Sequence, residues 1–120
     1  MQYFPIFLDT TELNCLVVGA GEVAARKVEL LLKTSAQITV VAPEVCNTIK
    51  QLVLENKLSL HIRAFEEDDL AARQLIFVAT DNGLLNAQIH HQAKLRNILV
   101  NVVDNTPLCQ FITPYRLFLD

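Results

Sequence analysis

The sequence predicts an α/β protein, a doubly wound parallel sheet in three layers (α/β/α), and three observations predict it. Short apolar runs rich in β-branched residues recur along the 120 residues, separated by stretches with helical spacing. That alternation builds parallel sheets with right-handed crossovers. One junction is abrupt: the run Cys15–Val18 gives way at once to the amphipathic series Ala24, Val28, Leu31 and Leu32, so a buried strand feeds a helix directly. Apolar residues make up 52% of the chain and charged residues 19%, with no long uncharged span, the balance of a single domain with a large buried sheet. A chain of this length buries roughly two thirds of its unfolded surface, and it contains no repeat, low-complexity tract or linker.

Taken in order, Tyr3–Leu8 (Y-F-P-I-F-L) reads as an edge or lead-in strand with Pro5 early in it, closed by the turn residues Asp9-Thr10-Thr11. The first strand and helix run to about Lys33, with Glu22 and Arg26, and Glu29 and Lys33, spaced to pair on the solvent side. Ile38–Ala42 is a second strand. Pro43 then opens a helix at its favoured first position, with Val45, Ile49, Leu52 and Val53 on one face. Leu58–Ile62 alternates as a third strand. Phe65–Leu70 carries Glu66, Glu67, Asp68 and Asp69, read as a solvated helix start favoured by the macrodipole. Leu75–Ala79 is a fourth strand ending in Thr80-Asp81-Asn82-Gly83, and a helix follows to about Arg96 with Leu85, Ile89 and Ala93 inward. His90 and His91 are neighbours on it, diverging by about 100°, and read as surface residues rather than a metal pair. Ile98–Val103 is the fifth strand, and Phe111-Ile112 before Pro114 the sixth.

The first strand–helix junction is also where chemistry concentrates. Gly19-Ala20-Gly21-Glu22-Val23-Ala24 spells G-x-G-x-x-A, using two of the chain's three glycines. In a Rossmann-like dinucleotide site the first glycine makes the tight turn, the second admits a pyrophosphate, and the small third residue packs helix on strand. The plain alternative is a close-packed turn that binds nothing. The acid usual at the end of the second strand is missing: Val41-Ala42-Pro43 stands there and Glu44 comes slightly late. Glu44, or backbone groups at Pro43 and Glu44, would take the ribose. No arginine lies between Pro43 and Lys50 to meet a 2′-phosphate, which favours NAD over NADP. Thr80 and Asp81 end a central strand where open α/β sheets bind ligands.

Other classes are disfavoured by composition. Cys15, Cys46 and Cys109 are odd in number, widely spaced and without a C-x-x-C, so they read as free thiols rather than a disulfide framework or zinc site. A net charge of −3 gives no general attraction to nucleic acid or an acidic membrane. The start Met1-Gln2-Tyr3-Phe4 lacks a basic, then apolar, signal pattern, and a cytoplasmic location is the expectation.

Six segments together carry a resemblance: Y-F-P-I-F-L at 3–8, V-V-G-A-G-E-V-A-A-R-K at 17–27, V-V-A-P at 40–43, A-T-D-N at 79–82, N-V-V-D at 101–104 and F-I-T-P at 111–114. In this order they resemble the N-terminal domain of siroheme synthases and the stand-alone precorrin-2 dehydrogenase/sirohydrochlorin ferrochelatases. The resemblance implies an NAD-binding domain over residues 1–114, with NAD held by Gly19, Ala20, Gly21, Glu22, Val23, Pro43 and Glu44 and with Thr80 and Asp81 near cofactor and tetrapyrrole. It implies oxidation of precorrin-2 to sirohydrochlorin, then insertion of ferrous iron as a transient substrate, and a homodimer. Asp104 matches the family's general base; Asp104-Asn105-Thr106-Pro107 is equally a turn sequence. Arg26 and Lys27 match the family's R-K, and pairing with Glu22 explains them as well. The match stops at Pro114, and Tyr115–Asp120 is a divergent tail where the family continues with a serine-rich turn and helices, so the chain reads as truncated. Two other classes fit the opening turn: an NAD-sensing regulatory module and a partner-dependent domain without complete activity.

Overall fold

The structure, a computed structural model, describes residues 1–56 and 58–113. Its elements alternate as the sequence predicts: β1 (Asn14–Val18), α1 (Glu22–Leu31), β2 (Gln37–Ala42), α2 (Asn47–Glu55), β3 (Ser59–Ile62), a 3-10 turn (Glu67–Leu70), β4 (Leu75–Val78), α3 (Gly83–Leu95), β5 (Leu99–Val102) and a second 3-10 turn (Thr106–Leu108). The five strands form one sheet in the order β3-β2-β1-β4-β5, and every pairing is parallel. Strands buried on both faces need no alternation, hence the unbroken Cys15–Val18 and Leu75–Val78 runs.

Each face of the sheet builds its own core. On one, Cys15, Val17, Val40 and Phe77 meet Ala24, Ala25, Val28 and Leu31 of α1 and Ile49 of α2. On the other, Leu16, Val18, Ile76, Val78 and Val100 meet Ile89 and Ala93 of α3. At the N-terminal edge the half-buried Arg73 donates to the Asn14 side chain at 2.7 Å, the Thr39 hydroxyl at 3.0 Å and the Asp69 carbonyl at 3.0 Å, tying β1, β2 and the segment before β4 together. Burial pushes the neighbouring Cys15 thiol up to about 11, so it stays an inert apolar filler.

Four expectations need correction. Tyr3–Leu8 forms no strand, and Phe4, Ile6, Phe7 and Leu8 are exposed. This segment leads into β1, a central strand whose two edges are already taken by β2 and β4. Phe111-Ile112 is likewise not a strand; the chain there runs beside β5, with one backbone bond from Gln110 N to the Val100 carbonyl and side-chain bonds from Val100 N to Gln110 and from Asn101 to the Phe111 carbonyl. Phe111 instead packs edge-on against Phe77, ring centroids 5.4 Å apart, and Lys27 spans the junction, its ammonium 5.7 Å from the Phe77 ring centre and 3.3 Å from the Thr113 hydroxyl. Pro114 and the 115–120 tail lie outside the described residues.

The helix expected from Pro43 begins at Asn47, because the Cys46 N–H donates to the Ala20 carbonyl at 2.8 Å and holds the intervening bend against the glycine turn. The acidic run is not simply solvated either. Asp69 is buried and paired with Arg63 at 2.6 and 2.9 Å. Its carboxylate also accepts from Glu66 N, while the Glu66 side chain accepts from Asp69 N, a reciprocal cap on the short turn. The Arg63 hydrogen bonds hold the Asp69 carboxyl below the usual carboxylate range.

Candidate cofactor site at the C-terminal edge of the sheet

Because all strands run the same way, every loop that follows a strand emerges on one edge. Along it stand Gly19–Val23 after β1, Pro43-Glu44 after β2, Thr80-Asp81 after β4 and Asp104 after β5. The sequence-predicted site residues therefore share an edge, and the strand order reverses between β1 and β4, where such sheets open a ligand crevice.

The two glycines of the turn serve different needs. Gly19 has φ +112°, and a Cβ there would lie 2.4 Å from the Ala79 carbonyl oxygen; it is required by the fold itself. Its N–H donates to the Val41 carbonyl at 2.9 Å, and Ala79 N donates to the Val18 carbonyl at 2.8 Å, clamping the turn between β2 and β4. Gly21 is the opposite case. Its backbone (φ −88°, ψ −169°) suits any residue and a Cβ would meet nothing within 4 Å. Neither conformation nor internal packing asks for glycine there. Gly21 is also the N-cap of α1, no side chain caps that helix, and its first backbone bond runs from Ala25 N to the Gly21 carbonyl. Glu22 and Val23 are exposed and the N-cap provides no side chain for their N–H groups, the condition for phosphate binding at a helix N-terminus. A dinucleotide pyrophosphate fits this cradle.

After β4 the loop is held from within. The Thr80 hydroxyl donates to the Asn86 side-chain oxygen Oδ1 and accepts from Asn82 N at 3.2 Å, and the Asn86 side-chain Nδ2 returns a bond to the Thr80 backbone carbonyl at 3.0 Å. Thr80 is thus a structural clasp, while Asp81 is exposed with no side-chain bond among the described residues. Asp104 is exposed at φ +61° in the turn after β5. Bonds from Val103 N to the Val78 carbonyl and from Asn105 N to the Val102 carbonyl fix that turn. Its carboxylate has no partner among the described residues, so it is available to a ligand in the β4–β5 part of the edge. Pro43 and Glu44 are exposed beside the glycine turn.

Over residues 6–115 the chain matches the sequence family described as "Putative NAD(P)-binding". It belongs to that family. Among curated relatives, the siroheme synthase of Pseudoalteromonas atlantica (strain T6c / ATCC BAA-1087) is 74% identical over 114 residues, 95% of this chain and 25% of that protein. The siroheme synthase of Nitrosospira multiformis is 45% identical over 118 residues, 95% of this chain and 25% of that protein. The chain spans about a quarter of the length of these relatives. Among solved structures, SirC, a precorrin-2 dehydrogenase, has a TM-score of 0.75 and 31% identity, covering 84% of this chain and 49% of that one. The span matched to the NAD(P)-binding family takes in every residue of the edge from Gly19 to Asp104.

Two residues that shape the edge escape a reading of the sequence. Asn86 is a buried polar side chain in the inward stripe of α3, beside Ile89 and Ala93; an amide on an apolar stripe is the signal that could have found it. Thr48, on α2, donates to both carboxylate oxygens of Glu22 at 3.2 Å. No local pattern announces that pair, since the partners belong to different helices. It replaces the expected Glu22–Arg26 contact.

Proposed function

We propose that this chain, taken as a domain over residues 1–114, binds NAD on the C-terminal edge of its sheet and serves precorrin-2 dehydrogenation in siroheme biosynthesis. The observation that carries the reading is Gly21: an unconstrained glycine over open space, at the uncapped start of α1, on the loop beside the strand-order reversal. A side chain there would displace only a ligand. The likeness to siroheme synthases and to a precorrin-2 dehydrogenase supplies the substrate class.

On this reading the N–H groups at Glu22 and Val23 hold the pyrophosphate, and Pro43 and Glu44 border the adenosine end. The Thr80–Asn86 clasp fixes the loop carrying Asp81 beside the tetrapyrrole. When bound, NAD supplies the hydride acceptor. The oxidation releases one proton in addition to the hydride, and Asp104, an exposed carboxylate with no side-chain partner among the described residues, is the base that takes it. The same carboxylate accepts pyrrole protons if ferrous iron, a substrate rather than a resident ion, is inserted afterwards. Among the described residues no helix is long and apolar enough to cross a membrane, in keeping with work in the cytoplasm on a small-molecule substrate. The exposed Phe4, Ile6, Phe7 and Leu8 suit a homodimer.

The test is NADH formation by the purified chain supplied with fresh precorrin-2 and NAD, beside Asp104→Ala. NADH should appear only when both precorrin-2 and Asp104 are present, with NAD affinity the same in both proteins. Absence of NAD binding overturns the cofactor reading; unchanged turnover in Asp104→Ala returns that residue to a turn former.

A further inference from the structure

We infer that Glu22, held in place by Thr48, is the acid that recognises the adenosine ribose and makes the site select NAD over NADP; this rests on the NAD reading above. The sheet lacks the usual acid at the end of β2, where Ala42 is followed by Pro43. Glu44, the substitute suggested by sequence, is exposed and unanchored, with no side-chain bond among the described residues. Glu22 is anchored. It is the first residue of α1, and Thr48, the second residue of α2, donates its hydroxyl to Glu22 Oε1 and Oε2 at 3.2 Å each. A free carboxylate at the start of α1 would fall against a pyrophosphate bound there. The Thr48 contact draws it toward α2 instead, over the bend that the Cys46–Ala20 bond holds against the glycine turn. That is the gap between the β1 turn and the end of β2, where this class of fold receives the adenosine ribose.

The chemistry matches on both counts. Thr48 has one proton to give and the carboxylate has about four lone-pair positions, so acceptor capacity remains for both donors of a cis-diol. A 2′-phosphate would instead place further negative charge beside Glu22 and Glu44, neither of which has a cation in ion-pair contact among the described residues. Arg63, which follows β3 and whose N–H donates to the Ala42 carbonyl, is the arginine best placed along the chain to compensate. Its guanidinium is already engaged by Asp69 at 2.6 and 2.9 Å and by the Ala64 carbonyl at 3.1 Å. Arg26 and Lys50 are exposed further along their helices and contact neither acid.

Calorimetric titration of the chain with NAD, NADP and NAD lacking the adenosine 2′-hydroxyl tests this, with Glu22→Gln, Thr48→Val and Thr48→Ser alongside and the melting temperature of each unliganded protein recorded. In the unaltered chain, loss of the 2′-hydroxyl should weaken binding by about tenfold, the scale of a hydrogen bond to a charged acceptor. In Glu22→Gln that difference should collapse while NADP binding strengthens by a similar factor; Thr48→Val should show a smaller change of the same kind, and Thr48→Ser should restore the original ratios. If the unaltered chain binds NAD and Glu22→Gln leaves all three ligands in the same ratios, the inference fails and the NAD reading stands. If the unaltered chain binds no NAD, both fall together.

Discussion

Two helices start on the same edge of the sheet, and they start differently. α1 starts at Glu22 with Gly21 as its N-cap, which supplies no side-chain cap bond. α3 begins one residue after Asn82, whose side-chain oxygen accepts from Leu85 N at 3.1 Å. Its first residue, Gly83, would also meet nothing if it carried a Cβ. An unobstructed glycine is therefore not evidence for a ligand by itself. What separates the two ends is a side-chain cap: Asn82 takes the Leu85 N–H in the first turn of α3, whereas the N-cap of α1 offers no side chain to its own first turn. The short turn at Glu67–Leu70 belongs with α3, closed by the Glu66–Asp69 pair and by Arg63.

The contrast can be broken most severely at Gly21. Gly21→Asp should reduce NAD affinity by more than about a hundredfold, since a carboxylate would occupy the phosphate position, while the unfolding midpoint stays nearly unchanged because the added atoms meet open space. Retained affinity would erase the distinction between the two helix starts. A smaller effect sharpens the closed class through pH. Arg63 holds the Asp69 carboxyl below its ordinary range, so its contribution to stability is complete above about pH 4 and fades as acid drives the pH toward its lowered folded value. Asp69→Asn should have a lower urea midpoint than the unaltered protein at pH 7, and the gap should narrow steadily on going from pH 5 to pH 2.5; a constant gap would mean the pair acts through packing alone. The mildest change is Asn82→Ala, expected to cost about 1 kcal/mol of stability, the usual worth of an N-cap, with NAD affinity kept because α3's first turn is not offered to the ligand.

What could be read from the chain beforehand follows the range of the forces involved. The strands at Cys15–Val18 and Leu75–Val78 and the glycine turn between β1 and α1 are written in adjacent residues, and they appear where expected. Elements whose fate depends on distant partners do not. Pro43 has every local reason to open a helix, yet one backbone bond from Cys46 to Ala20 delays it to Asn47. Tyr3–Leu8 has strand composition but adjoins a strand with no vacant edge. At the site, the place of Gly21 at the start of α1 was legible because it lies in a local spacing. The Glu22–Thr48 and Thr80–Asn86 contacts were not: the first crosses between helices, and the second makes Thr80 an internal clasp, although position alone suggested a ligand contact.

The placement of β1 at the centre of the sheet also has a temporal side. Its first neighbour, β2, follows soon after it, but its second, β4, begins next to Gln74, 60 positions beyond Asn14. At a synthesis rate of about 5–20 residues per second, the Leu16-Val17-Val18 edge waits on the order of several seconds on the ribosome before its partner exists. During that interval it is an unpaired apolar strand, the kind of surface that recruits wrong partners. The nascent chain thus passes through a half-sheet, β1 with β2 and then β3, whose open side can close correctly only when β4 arrives.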